Sequence, residues 1–372
     1  HEALRTCIDS QGDFQYIKPS LKVDIPVIDI SNFGSYEREL QIAEWFNKES
    51  LEPFDLTHAP LFRVQILKLE EQLHLVTLTA HHIITDGWSM NIILKELSTL
   101  YSAECQGITC QLAPVVQFKE YIKWQEQQSQ TEAMRKSESY WLQKFSTSIP
   151  VLNLPTDRPH PAYKSYRGGR QTKQLNSDIC NSIKKLSREK GCTLFMTLLA
   201  AYTIFLHRIT VQDDIVIGIP SAGRSLEGSE QLVGYCAHIL PIQSCIVENP
   251  TLSEYLENLR SLLLEDYEHQ NYPFARLLKK LEVNRDLSRS PLVTAIFNLE
   301  RPLAVEMFEL EANLFPRPIN FVDYDFSLNA IEINDEIVLS CDYNTDLFNA
   351  DTITRILGHF QTLLEGIVAN PI

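Results

Sequence analysis

The stretch LHLVTLTAHHIITDGWSM, residues 73–90, changes its periodicity halfway, and the change decides how the first part of the chain folds. Up to Thr85 the residues alternate, with Leu73, Leu75, Thr77, Thr79 and His81 on one side and His74, Val76, Leu78, Ala80 and His82 on the other. That is the period of a β-strand. The partner strand is LFRVQILKL (Leu61 to Leu69), joined to it through a Glu-Glu-Gln turn. After Gly87 the apolar residues Trp88, Ile92, Ile93, Leu97, Leu100 and Tyr101 recur at helical spacing. Two adjacent histidines therefore end a strand, and Asp86-Gly87 turns the chain into a helix whose apolar residues, Trp88 and Tyr101 included, are expected in the core.

Three chemistries are open to such a junction. Zinc needs three or four convergent ligands. Neighbouring strand residues face opposite ways, so His81 and His82 cannot share an ion, and no second His/Cys cluster supplies the rest; no metal is expected. A purely structural role is available to every residue: His81 buried, His82 hydrogen-bonded, Asp86 as helix N-cap and Gly87 in the turn. The third option is acid-base catalysis by one histidine at the strand end. No G-x-S-x-G nucleophile signature is present. Direct transfer fits better, with a substrate amine or hydroxyl attacking an activated acyl group such as a thioester.

The rest of the chain narrows the setting. Its 372 residues suffice for one large or two medium domains, with 44% hydrophobic residues. A net charge of −15 without clustered Lys and Arg argues against nucleic acid as a partner. No apolar run reaches the roughly 20 residues of a spanning helix, so no membrane is expected. Eight scattered cysteines without a C-x-x-C are expected as reduced core thiols of a cytoplasmic protein. Residues 149–169, IPVLNLPTDRPHPAYKSYRGG, hold four prolines and a glycine pair and are expected to be a linker. Beyond them the patterns predict a strand GGRQTKQL, a helix from Ser177 to Gly191, a buried helix TLFMTLLAAYTIFLHRI and a strand DIVIGIP. A helix over Leu252 to Tyr267, the strands VTAIFNLE, INFVDYDFSLNAIEI and EIVLSCDYN, and a closing helix follow. Both halves mix antiparallel-type strands with covering helices, which gives an α+β class rather than a parallel doubly wound sheet.

Six motifs in order now carry a resemblance. HHxxxDG (His81 to Gly87) is similar to the signature of nonribosomal peptide synthetase condensation domains, within the superfamily that includes chloramphenicol acetyltransferase. HEALRTCI (His1 to Ile8), YIKW (Tyr121 to Trp124), VGYCAHILP (Val233 to Pro241), HQNYPF (His269 to Phe274) and RDLSRSPL (Arg285 to Leu292) resemble that family's RHExLRTxF, YxDYAxW, IGxFVNTLP, HQDYPF and RDxSRNPL blocks.

The resemblance implies two chloramphenicol acetyltransferase-like lobes in a V-shaped pseudo-dimer, residues 1–155 and 156–372, with the active site in a tunnel between them. It implies formation of an amide bond between a carrier-bound acyl or peptidyl thioester and the amine of a carrier-bound aminoacyl group. His82 is then catalytic, as base or positioner of the amine. His81, Asp86, Gly87 and Arg224 support the site, Asp86 pairing with Arg224 at the end of DIVIGIP in the second lobe, and Trp88, Ser89, His238 and His269 are candidates for the tunnel. The domain itself binds no cofactor; its substrates ride on the phosphopantetheine of upstream donor and downstream acceptor carrier proteins, with an adenylation domain expected after the C-terminus. Gly87 leaves room for that arm. An epimerisation domain of the same superfamily and a non-catalytic docking module are the alternatives. The family's first motif is absent, so the chain is expected to start inside the amino-terminal lobe. His238 replaces the usual Asn and Cys236 the usual Phe; with SAGR (Ser221 to Arg224), this block resembles condensation domains that receive unusual acyl donors.

Overall fold

A computed structural model describes all residues except 147–148, 282–285, 302–305, 314, 316–317, 334 and 371–372. Arg285 of RDLSRSPL, and Pro371 and Ile372 at the chain end, lie outside the described residues. The chain forms two compact units: one comprises His1–Ser129, Ala222–Ala237 and Leu303–Pro318, the other Gln130–Ser221, His238–Pro302 and Ile319–Ile372.

The first unit opens with short strands β1 (Thr6–Ile8) and β2 (Gln15–Ile17), which pair antiparallel, followed by β3 (Val27–Asp29) and helix α1 (Ser35–Leu51). Strands β4 (Phe62–Lys68) and β5 (His74–Ala80) form the antiparallel hairpin expected from the alternation, with Phe62 opposite Ala80 and Lys68 opposite His74. Strand β3 adds to β4 in parallel. Helices α2 (Gly87–Cys105) and α3 (Phe118–Gln128) complete the elements of this unit. Its apolar clusters are small: Ile30, Ile42, Leu67 and Leu69 under α1, and Leu61, Phe62 and Ile84 at the end of the hairpin.

The second unit begins with α4 (Glu132–Lys144) and β6 (Gly168–Gln174), then α5 (Ser177–Glu189), α6 (Leu194–Thr210), β7 (Asp214–Ser221) and β8 (His238–Cys245). Helices α7 (Leu252–Glu268) and α8 (Phe274–Lys280), strands β9 (Ala295–Glu300), β10 (Phe326–Ile333) and β11 (Glu336–Asn344), and helix α9 (Ala350–Ala369) follow. Its six-stranded sheet runs β6-β11-β10-β9-β7-β8. Helix α6 shows why the pattern is legible: Thr193 caps it by accepting from the Met196 N–H, and every residue from Leu198 to Leu206 except Ile204 is buried. Trp141, Tyr202, Phe297, Phe326, Phe348 and Phe360 are the largest buried side chains of this unit.

Several expectations need correction. The sheet is mixed: β9 runs parallel to β10 and to β7. Trp141, Phe145 and Leu152 belong to the core of the second unit. The Pro-rich stretch is a strap on that unit. Its Asp157 and Arg158 amides donate to the Leu347 carbonyl, and the Asp157 carboxylate accepts from the Asn349 N–H and the Thr352 hydroxyl at the start of α9. Prolines there fix an extended path that needs few backbone donors. All eight cysteines are free thiols, yet Cys105 and Cys245 are exposed rather than core residues. Among the described residues no single helix is long and apolar enough to cross a membrane.

Candidate active site

The alternation of residues 73–85 extends further than the strand. Strand β5 stops at Ala80, and the two histidines open a turn: Ile84 N–H donates to the His81 carbonyl and Thr85 N–H to that of His82. The His81 backbone still donates to Leu61, which ties the turn to β4. Its ring is half-buried against the edge of Phe54, and Nδ1 accepts from the Ile83 N–H at 3.1 Å. Burial, helped by the neighbouring His82, lowers the His81 pKa, so the ring is held neutral with its proton on Nε2.

The His82 side chain is exposed, and its ring nitrogens accept and donate no hydrogen bond to the protein among the described residues. Its ring meets that of Tyr235 edge to face, with centroids 4.9 Å apart and planes at 71°. Tyr235 is the site residue that sequence reasoning missed. It lies inside the VGYCAHILP motif, between Val233-Gly234 and Cys236-Ala237, but no local periodicity links it to a histidine so far away in sequence.

Asp86 is the hub. Its side chain is fully buried and caps α2 by accepting from the Ser89 N–H at 2.8 Å and the Ser89 hydroxyl at 2.7 Å. Arg224 donates to both carboxylate oxygens, at 2.9 and 3.1 Å, and the Cys236 and Ala237 N–H groups each donate to Oδ2 at 3.0 Å. Burial acts to raise the Asp86 pKa, but the Arg224 hydrogen bonds and charge, with the Ser89 donors, outweigh it and hold the carboxyl below its ordinary value. So Asp86 is a capping residue and the partner of Arg224 at once, and none of its oxygens is engaged by His82. Arg224 belongs to the first unit, not the second as expected, because residues 222–237 are bonded to α2 and α3: the Tyr121 hydroxyl donates to the Gly223 carbonyl at 2.7 Å, and the Ser89 hydroxyl to that of Gly234 at 2.9 Å. Gly234 presses its backbone onto Phe118, where a Cβ would collide with the ring. Burial pushes the neighbouring Cys236 thiol up to about 12, so it is inert as a nucleophile at neutral pH.

Gly87 is the first residue of α2, not part of the turn before it. Its backbone is not left-handed, and a Cβ built there meets no atom within 4 Å. Nothing in the fold of the described chain requires glycine at this position. Trp88 and Tyr101, expected in the core, are 49% and 37% exposed. The helix forms as its spacing predicts, but the cluster beside it, Ala3, Ile92 and Val233, is too small to cover the whole apolar stripe. The Trp88 indole donates to the Glu230 carbonyl at 2.9 Å and lies beneath the Arg224 guanidinium, which is 5.6 Å from the ring centroid. Ser89 is fully buried, and its N–H and hydroxyl both donate to Asp86.

His238 and His269 belong to the second unit. The His238 Nε2 donates to the Gln270 carbonyl at 2.6 Å, while the Ser221 hydroxyl, opposite His238 in the β7–β8 register, donates to the Gln270 side-chain oxygen at 2.9 Å. His269 stacks on Tyr140 with centroids 4.2 Å apart, Nδ1 meets the Ser137 hydroxyl at 3.0 Å, and its carbonyl accepts from Trp141. The HQNYPF segment thus links α7 to α8, with Pro273 capping the latter. No group of three or more His, Cys, Asp or Glu residues among the described residues could hold a metal ion.

Comparisons with known proteins agree on one family. A family model for the condensation domain matches residues 1–372. Tyrocidine synthase 3 of Brevibacillus parabrevis is 37% identical over 377 residues, covering all of this chain and 6% of that protein. Gramicidin S synthase 2 of Aneurinibacillus migulanus is 36% identical, again over all of the chain and 8% of its own length. The chain thus spans less than a tenth of these relatives. The solved condensation domain from the Monacolin K polyketide synthase superposes with a TM-score of 0.84 at 19% identity, over all of this chain and 86% of that one, which supports the fold. With the whole chain matched, the protein belongs to the condensation-domain family of the nonribosomal peptide synthetases.

Proposed function

We propose that the chain is a catalytically active, peptide-bond-forming condensation domain in which His82 acts on the attacking amine. One observation carries this reading: the His82 ring is exposed and unengaged by hydrogen bonds among the described residues, while Asp86, occupied by its own network, stays clear of it. A histidine kept as structural support would be bonded, as His81 is. His82 accepts the proton of the α-amine or orients its lone pair toward the thioester carbonyl; the thioester supplies the driving force, and alignment of the two reactants supplies most of the acceleration. Both substrates arrive on phosphopantetheine arms of carrier proteins, one upstream and one downstream, with adenylation domains as further neighbours in the synthetase. The open space around Gly87 leaves room for such an arm.

The test supplies the domain with loaded donor and acceptor carriers and measures the product released. His82→Ala is expected to lower product formation by about 10²–10⁴-fold without shifting the melting temperature. Normal turnover in that variant would remove the histidine from the reaction. Inversion of the aminoacyl Cα without peptide product in the parent protein would assign it to epimerisation instead, and neither product would assign it to docking.

A further inference from the structure

We propose that Tyr235 is a positioning residue for His82, and that Asp86 governs the histidine through Tyr235 and not by contact with it. The inference rests on the catalytic role of His82 proposed above. Three observations within the first unit carry it. The His82 ring packs edge to face on the Tyr235 ring, with centroids 4.9 Å apart. Tyr235 is itself 48% exposed, so the hydrophobic core does not hold it there. Its backbone, by contrast, is gripped on both sides from a single point. On the amino-terminal side the Gly234 N–H donates to the Ser89 hydroxyl oxygen at 3.1 Å, and the hydroxyl proton is shared between the Gly234 carbonyl and Asp86 Oδ1. On the carboxy-terminal side the Cys236 and Ala237 N–H groups both end on Asp86 Oδ2.

The consequence is a short mechanical chain: the buried Asp86 carboxylate fixes residues 234–237, these fix the Tyr235 ring, and the ring limits the rotamers open to the imidazole. An exposed histidine with no hydrogen bond samples several staggered positions. Edge-to-face packing selects among them, and a catalytic group held near one geometry gains rate because misplacement of about 1 Å can cost on the order of a hundredfold. The contact needs the aromatic ring and not the phenolic hydroxyl. That separates positioning from a direct role in proton transfer, which would need the O–H.

The experiment compares Tyr235→Phe, Tyr235→Leu and Tyr235→Ala with His82→Ala in the loaded-carrier assay, and follows the His82 ring by relaxation of 15N-labelled imidazole. Tyr235→Phe is expected to keep at least about half of kcat, whereas Tyr235→Leu and Tyr235→Ala lose roughly ten- to a hundredfold in kcat with KM for either carrier within about twofold. Faster ring motion at His82 should accompany the loss, and only in the two variants without an aromatic ring. Unchanged kcat in Tyr235→Ala, with His82→Ala inactive, overturns the positioning role and leaves the catalytic one intact. Equal losses in the Phe and Ala variants overturn it too, by assigning the effect to the hydroxyl. A fully active His82→Ala variant would fail the underlying reading, whatever Tyr235 does; the relaxation measurement then still decides whether Tyr235 restrains the ring.

Discussion

Asp86 and Arg224 form a two-point ion pair across 138 residues of sequence, with Nη2 2.9 Å from Oδ1 and Nη1 3.1 Å from Oδ2. Their side chains are 0% and 4% exposed, so water can replace neither partner when the other is removed. Asp86→Ala and Arg224→Ala should therefore each destabilise the protein by about 3–5 kcal/mol, and the double variant by less than the sum, because it strands no charge. Denaturant unfolding of the four proteins measures this directly. Additive losses would show that the pair contributes no coupling.

The same carboxylate makes a pH prediction. Its folded pKa lies below the ordinary 3.8, so its contribution is present in full above the unfolded value and drains away as pH falls through the folded one. As pH falls below the unfolded value toward the folded one, stability should fall more steeply in the parent than in Asp86→Asn, so that the gap between the two curves narrows. Parallel curves would mean that Asp86 titrates alike in both states.

A substitution at Gly87 is expected to separate activity from stability. Since a Cβ there meets nothing within 4 Å and the backbone is right-handed, Gly87→Leu should leave stability within about 1 kcal/mol of the parent. Condensation should nevertheless fall by roughly tenfold or more if a pantetheine arm passes over this position. Loss of both in parallel would return the glycine to a structural role.

Val211 ends α6 in the left-handed conformation, at φ 56°, with 87% of its surface exposed. A β-branched side chain is poorly suited to that geometry, and its exposure means that little packing is lost on removal. Val211→Gly should raise stability by about 1 kcal/mol and leave activity unchanged. A fall in the melting temperature would show that the valine makes contacts worth more than its strain.

Elements with a strong cap and a clean period were legible in the sequence. Helix α5 begins after Asn176, whose side chain accepts from the Ile179 N–H, and α6, β7 and the β4–β5 hairpin lie where alternation or helical spacing put them. Strands β1 to β3 were not legible, since three residues apiece are too few to show a period. Helices α3 and α4 are mostly polar; what locates them is burial of Tyr121 and Trp141, which only tertiary packing reveals. The histidine pair looked like a continuing strand because alternation cannot register the hydrogen bonds that turn the chain after Ala80. The Asp86–Arg224 pair was accessible through the family motif, and Tyr235 was not: its significance depends on how Asp86 grips its neighbours, which no linear pattern encodes.

The first unit is assembled from three separate stretches, the last ending at Pro318. On the ribosome, Asp86 leaves the exit tunnel 138 residues ahead of Arg224, a delay of roughly 7–28 seconds at ordinary elongation rates. Throughout that interval the nascent chain carries a carboxylate destined for burial with no cation yet made to meet it, so water must keep solvating it. The turn after β5 therefore cannot reach its final bonding while its own segment is being made; Asp86 gains its partners only when residues 222–237 have been translated, which ties the closing of an early turn to the synthesis of a distant loop.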